Sequence, residues 1–191
     1  MSNLDKITPR GHLEITKIYQ DGREELYFSE KNTITSGMGI GLAYMFAGSG
    51  SQSIANYQIR YFQVGTSAWD NYGPSTFQLK SAISQADYSG GGLTVANPFV
   101  FRNGNTTAQT ALVTIPFNLI RKVDSASVQF TLILPAEAAN SVSNPLQEIG
   151  LYMKNPFNFA NDVPLLVAYK TFPAIGKSSD FSIIFRWTIT F

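Results

Sequence analysis

The sequence predicts an all-β fold, an antiparallel β-sandwich of jelly-roll type with about eight strands and one short helix near residues 36–47. Three observations lead there. From Ala111 onward, apolar and polar residues alternate in runs separated by Pro, Asn, Ser and Gly, the period-two pattern of half-buried strands. Only Ser36 to Ala47 places apolar residues at convincing helical spacing. Aromatic residues make up 13% of the chain and charged residues 14%, against about 25% charge in an ordinary soluble domain, so neighbours are expected to cover much of the surface. A length of 191 residues suits one domain, 1–191, with the N-terminal hairpin and helix (10–48) packed on it.

Taken in order, Gly11–Tyr19 and Arg23–Phe28 flank Asp21-Gly22, a hairpin signal because glycine accepts positive φ. Charges beside the apolar residues of both arms predict an edge position, where charge discourages stray pairing. Met38, Leu42, Met45 and Phe46 then recur at helical spacing, with Thr35 or Ser36 as N-cap and Gly48 as stop. Gly37, Gly39 and Gly41 lack the order of a dinucleotide fingerprint and precede no P-loop lysine. Close approach of the helix to a sheet is the better account of them.

Ser49–Ser53 reads as a loop and Tyr57–Gly65 as an aromatic-rich strand. A turn region with Trp69, Tyr72 and Pro74 follows, then Thr76–Ile83 as a short helical turn or strand. Tyr88–Asn105 is expected to be a long loop or irregular hairpin with one apolar patch, Phe99-Val100-Phe101. Strands are predicted at Ala111–Arg121, Ser127–Leu134, Leu146–Lys154, Pro164–Thr171 and Phe181–Phe191. In the last, Phe181, Ile183, Phe185, Trp187, Ile189 and Phe191 share a face, which marks a central strand.

The stretch Leu146–Lys154 is the most informative. Ile149, Leu151 and Met153 fall on one face, the core, and Glu148, Gly150 and Tyr152 on the other. A glycine inside a strand marks a close approach, so Gly150 predicts a second packed layer over that face. A carboxylate beneath such a layer calls for a cation partner.

The chemistry available is narrow. A net charge of +1 with no Lys/Arg run argues against nucleic-acid binding. The chain has no cysteine, which excludes disulfides, zinc thiolates and iron–sulfur clusters. No signal peptide opens it and no apolar run approaches the length of a membrane helix, so a protein made in the cytoplasm and remaining soluble is expected. His12 is the single histidine and no G-x-S-x-G motif occurs, which leaves no Ser-His-Asp triad and no histidine metal cluster. Asp70, Asn71 and Asp87 are too sparse for a calcium loop, and no two carboxylates stand out as a glycosidase pair. Trp69 and Tyr72 form a candidate binding surface for sugar rings, weighed against the commoner role of aromatics in cores and subunit contacts.

Across about residues 57 to 191 a pattern runs in order: Val64-Gly65-Thr66, a Pro74-Ser75-Thr76 turn leading to Leu79, a strand such as Val128–Leu134, and Glu137-Ala138-Ala139-Asn140. It continues with Glu148-Ile149-Gly150-Leu151-Tyr152, Leu165–Tyr169, Phe172–Lys177 and a closing apolar strand. In this pattern the chain resembles the tail-collar fibre and related virion proteins of tailed bacteriophages. The N-terminal hairpin and helix lie outside it. The resemblance implies a non-enzymatic structural component of the virion, made in the host cytoplasm, with no cofactor, no metal and no membrane contact. A tail, collar, baseplate or fibre-attachment adaptor is expected, ahead of a capsid decoration protein or a carbohydrate-binding module. Its partners would be other virion proteins and further copies of itself in a symmetric assembly. It assigns architectural roles to Gly65, Leu79, Glu148, Ile149, Gly150, Leu151 and Lys177, and a pairing of Glu148 with Lys177 is expected within it.

Overall fold

A computed structural model of the protein describes residues 8–47, 57–67, 79–88, 91–103, 106–140, 142–153 and 164–191, with the backbone alone for 96–103 and 106–111. Its strands are β1 (Arg10–Tyr19), β2 (Glu24–Ile34), β3 (Ile59–Gly65), β4 (Val95–Asn103), β5 (Thr106–Thr114), β6 (Ile120–Lys122), β7 (Ser127–Leu134), β8 (Leu146–Met153), β9 (Leu165–Ile175) and β10 (Phe181–Thr190). The helix α1 spans Ser36–Ala47, where helical spacing places it. The strands lie in the order β4-β5-β3-β8-β9-β2-β1-β10-β7-β6, and every pairing is antiparallel.

The fold is mostly β, but the expected pair of stacked sheets is replaced by one strongly curled sheet, a half-barrel. The cause is β2. Its length pairs with β1, while its last two residues, Thr33 and Ile34, pair with Tyr169 and Ala168 of β9. One strand thus belongs to both halves, and a bulge between Ile15 and Thr16 of the adjoining β1 adds local twist. Curling brings the two halves' inner faces together. Leu13, Ile15, Phe185 and Trp187 from one half meet Val64, Ile149, Leu151 and Val167 from the other in one core, all fully buried. Phe172 bridges the halves, its ring 6.4 Å from Phe28 and 6.1 Å from Phe185.

β10 is central, as its row of apolar residues predicts: it pairs with β1 on one side and β7 on the other. The β1–β2 hairpin is not at an edge. It sits between β10 and β9, and its charges alternate with buried Leu13 and Ile15, so they face solvent from the middle of the sheet. The edges are β4 and the three-residue β6. The predicted strand Ala111–Arg121 is broken into β5, a 3-10 turn at Phe117–Leu119 and β6. Pro116, which has no amide to give a ladder, stands at the break. Tyr88–Asn105 contributes β4, which forms an irregular hairpin with β5, its register shifting between Ala96 and Phe99.

Helix α1 docks by its glycines. Gly37, Met38 and Gly41 are buried, whereas Met45 is 37% and Phe46 82% exposed, so the four apolar residues at helical spacing do not form one buried face. Thr35 caps the helix: its Oγ1 accepts the Gly37 amide at 3.2 Å and donates to the Leu166 carbonyl. A β-carbon at position 37 would overlap that same carbonyl, while one at position 39 would meet nothing within 4 Å. Gly37→Ala is therefore expected to lower stability by about 1–3 kcal/mol through overpacking. Gly39→Ala is expected to raise it by about 0.5–1 kcal/mol through helix propensity. Thermal unfolding of the two variants checks both.

Candidate functional site

The outward face of β8 is covered, as Gly150 predicts, and the cover is the segment Leu79–Ile83. Pairing of β3 with β8 sets Gly65 opposite Glu148, Gln63 opposite Gly150 and Tyr61 opposite Tyr152. Past the end of the β3–β5 pairing, the covering segment joins β3: Thr66 N–H donates to Ser81 O at 2.9 Å, Ile83 N–H to Val64 O at 3.1 Å, and Ala82 bridges Gly65.

Glu148 is fully buried beneath this segment. Its Oε1 accepts the Ser81 amide at 2.7 Å and its Oε2 the Lys80 amide at 3.2 Å. To reach them the side chain passes over Gly65, where a β-carbon would overlap Glu148 Oε1 and stand 2.6 Å from Ser81 O. Four residues along, the Tyr152 hydroxyl accepts the Leu79 amide at 3.2 Å and donates to the buried Gln63 Oε1 at 3.0 Å. Leu79 packs over Gly150, where an added β-carbon would lie 3.1 Å from Leu79 Cδ2. Leu112, Tyr152, Leu166 and Tyr169 complete a small second core on this side, so β8 is buried on both faces.

Among the described residues, the contacts seen on the Glu148 carboxylate are backbone amides, which bind a carboxylate by charge-assisted hydrogen bonds. Lys177 is engaged elsewhere. Its Nζ donates to Ala136 O at 2.9 Å, Asn140 Oδ1 at 3.1 Å and Ser178 O at 2.7 Å, so the Glu148–Lys177 pair does not form. Burial lowers its pKa from 10.5 to about 8, against the opposing pull of Glu137 and Asp180. The loop it ties down is itself bonded to the 3-10 turn Ala86–Tyr88, which follows the covering segment and is in turn tied to β3. Ala139, at φ 60°, donates its amide to Asp87 O at 2.7 Å, and the Tyr88 hydroxyl accepts the Val64 amide at 2.9 Å.

The residues singled out in the sequence therefore separate into groups. Gly65, Leu79, Glu148 and Gly150 converge on one clasp, Ile149 and Leu151 lie in the main core behind it, and Lys177 holds the 136–140 loop. Trp69, Tyr72 and the Pro74-Ser75-Thr76 turn lie outside the described residues. Gln63 and Tyr88 were not anticipated: neither partner is near in sequence, Tyr152 standing 89 residues from Gln63 and Val64 24 from Tyr88. Chemically, the clasp fixes a loop. Among the described residues, no group of three His, Asp or Glu side chains is placed to hold a metal.

A second surface feature went unread in the sequence. Met38, Leu42 and Met45 of α1 line an apolar groove of about 290 Å³ with Met153, Phe117 and Phe191. Phe117 is 60% and Phe191 43% exposed, and the Arg60 guanidinium stacks 3.7 Å from the Phe117 ring centre.

Glu148→Ala is expected to cost about 1–3 kcal/mol, the loss of amide bonds to a charged acceptor, with faster proteolytic cleavage near residues 79–83 under native conditions. Urea unfolding and limited proteolysis read the two effects. For Lys177, an unfolded lysine keeps its proton up to about 10.5, so between pH 8 and 10 the unfolded chain holds more protons than the folded one. Its contribution to stability therefore rises with pH across that window, and Lys177→Met should remove this rise from the pH profile of the urea midpoint.

Compared with known proteins, the chain matches no model of a protein family, no curated protein and no solved structure.

Proposed function

We propose that the chain is a non-enzymatic structural component of a bacteriophage particle, an adaptor at the tail, collar, baseplate or fibre-attachment point that assembles with further copies of itself. The clasp carries this reading. Four residues by which the chain resembles tail-collar fibre proteins, Gly65, Leu79, Glu148 and Gly150, meet in space, and each has a packing or hydrogen-bonding task there. Residues shared for architecture give a rigid docking part, and the amide-bound Glu148 provides that rigidity.

The apolar groove supports self-assembly. The protruding rings of Phe117 and Phe191 stand at the rim of the groove they help to line, with Phe46 exposed one residue beyond Met45. Knob and hole on one surface suit a contact between two copies related by a two-fold axis. Exposed aromatic rings at such a centre carry much of an interface's energy.

Sedimentation velocity at micromolar concentration tests this. The wild type should run as an oligomer, and Phe117→Ser with Phe191→Ser should shift it to monomer while leaving the melting temperature of the monomer fold near that of the parent. A wild type that stays monomeric across the concentration range overturns the reading.

A further inference from the structure

The first turn of the β1 ladder carries a feature that assembly does not use. Where β1 begins, beside the end of β10 and the last residues of β2, lies a cavity of about 420 Å³. Register explains what lines it. His12 pairs with Lys31 of β2 on one side and Thr188 of β10 on the other, and Arg10 pairs with Thr190. Residues opposite one another, or two apart on one strand, share a face, so Arg10, His12, Lys31, Thr188 and Thr190 gather on one side of the sheet. All five line the cavity, together with Thr8 and Pro9.

Among the described residues, no carboxylate pairs with the two cations Arg10 and Lys31. Arg10 and Lys31 make no ion pair, hydrogen bond or ring contact among the described residues. Several other described cations are engaged: Lys17 and Arg23 with Glu25, Lys170 with Glu30, Arg60 on Phe117, Arg186 on Thr16. Among the described residues no carboxylate lines the cavity; Glu14 reaches the His12 ring at 3.9 Å from the next row. The cavity's wall is also fixed in place. Asn32, which lines it, accepts the indole N–H of fully buried Trp187 at 2.8 Å, its side chain crossing Gly11 to do so.

The imidazole bonds Ser29 Oγ at 2.9 Å, the Thr190 hydroxyl bonds Ser127 Oγ at 2.8 Å, and the Thr188 hydroxyl accepts from Gln129 at 3.4 Å, which leaves its proton to donate. With Arg10 and Lys31, they surround a space larger than a lone tetrahedral anion, a recess for a charged group carried on something bigger. We propose that this cavity binds an oxyanion, a phosphate or carboxylate borne on a sugar-sized ligand. The guanidinium of Arg10 and the ammonium of Lys31 bind the anion, and the hydroxyls of Thr188 and Thr190 take up its remaining oxygens or those of the sugar. The site is independent of the groove that serves assembly, so it stands or falls separately from the oligomeric state.

The test is an amide chemical-shift titration of the wild-type protein with inorganic phosphate, glucose phosphate and glucuronate at constant ionic strength. Saturable shifts should appear at residues 10–12, 31–32 and 188–190. The double variant Arg10→Gln, Lys31→Gln should weaken binding by about tenfold or more, the effect of losing charge-assisted contacts, with an unchanged melting temperature. Tighter saturation by the sugar phosphate than by the sugar acid assigns the anion as phosphate, and the reverse assigns it as carboxylate. Shifts that never saturate, that scatter over the surface, or that persist unchanged in the double variant overturn the proposal.

Discussion

The continuity of the sheet rests on five residues, Thr33 to Gly37. Thr33 and Ile34 pair with β9, the Thr35 amide donates to Val167 O at 3.1 Å, the Thr35 hydroxyl donates to Leu166 O, and Gly37 lies against that same carbonyl. A strand, a helix cap and a helix–sheet contact follow one another without a loop. The halves of the sheet are consequently bound covalently and by backbone hydrogen bonds at the place where two separate sheets would be joined only by side-chain packing. The curl, the shared core and the position of α1 all follow from that short run.

A second device recurs on either side of it. In two places a polar side chain crosses over a glycine on the neighbouring strand to reach a partner beyond. Glu148 crosses Gly65 to the amides of Lys80 and Ser81, and Asn32 crosses Gly11 to the indole of Trp187. Any side chain at either glycine would occupy the path. The bond formed joins groups two strands apart, which the ladder hydrogen bonds between adjacent strands cannot do, and it satisfies a buried donor or acceptor at the same time. Glycine in these strands thus costs some intrinsic strand preference and gains a lateral tie.

Much of this was legible in local pattern. Alternation marks Ser127–Leu134 and the central β10 because burial on one face imposes period two over many residues. Gly150 announces its covering layer because a strand glycine has few other causes. What local pattern cannot carry is the identity of a distant partner. Ser81 lies 67 residues from Glu148, and Asn32 lies 155 from Trp187. For the same reason the pair of amides that Glu148 accepts was not foreseen, since every residue but proline possesses one and no composition reveals it. The charges of β1 and β2 suggested an edge because a charged strand face and a charged strand edge look alike in one dimension. Whether β2 ends in one sheet or continues into its neighbour depends on two hydrogen-bonded residues, a signal too short for periodicity to register.

A curled sheet that stops short of closure leaves two rims, and both are blunt. At one, β6 offers only three residues after the Pro116 interruption; at the other, β4 includes Pro98, a residue without an amide proton, at a shift in register. Neither rim is a long template for the addition of a foreign strand. Open-ended stacking through backbones is thereby disfavoured. In the assembly proposed above, contacts between copies fall to side chains, whose geometry can demand a finite, closed number of neighbours.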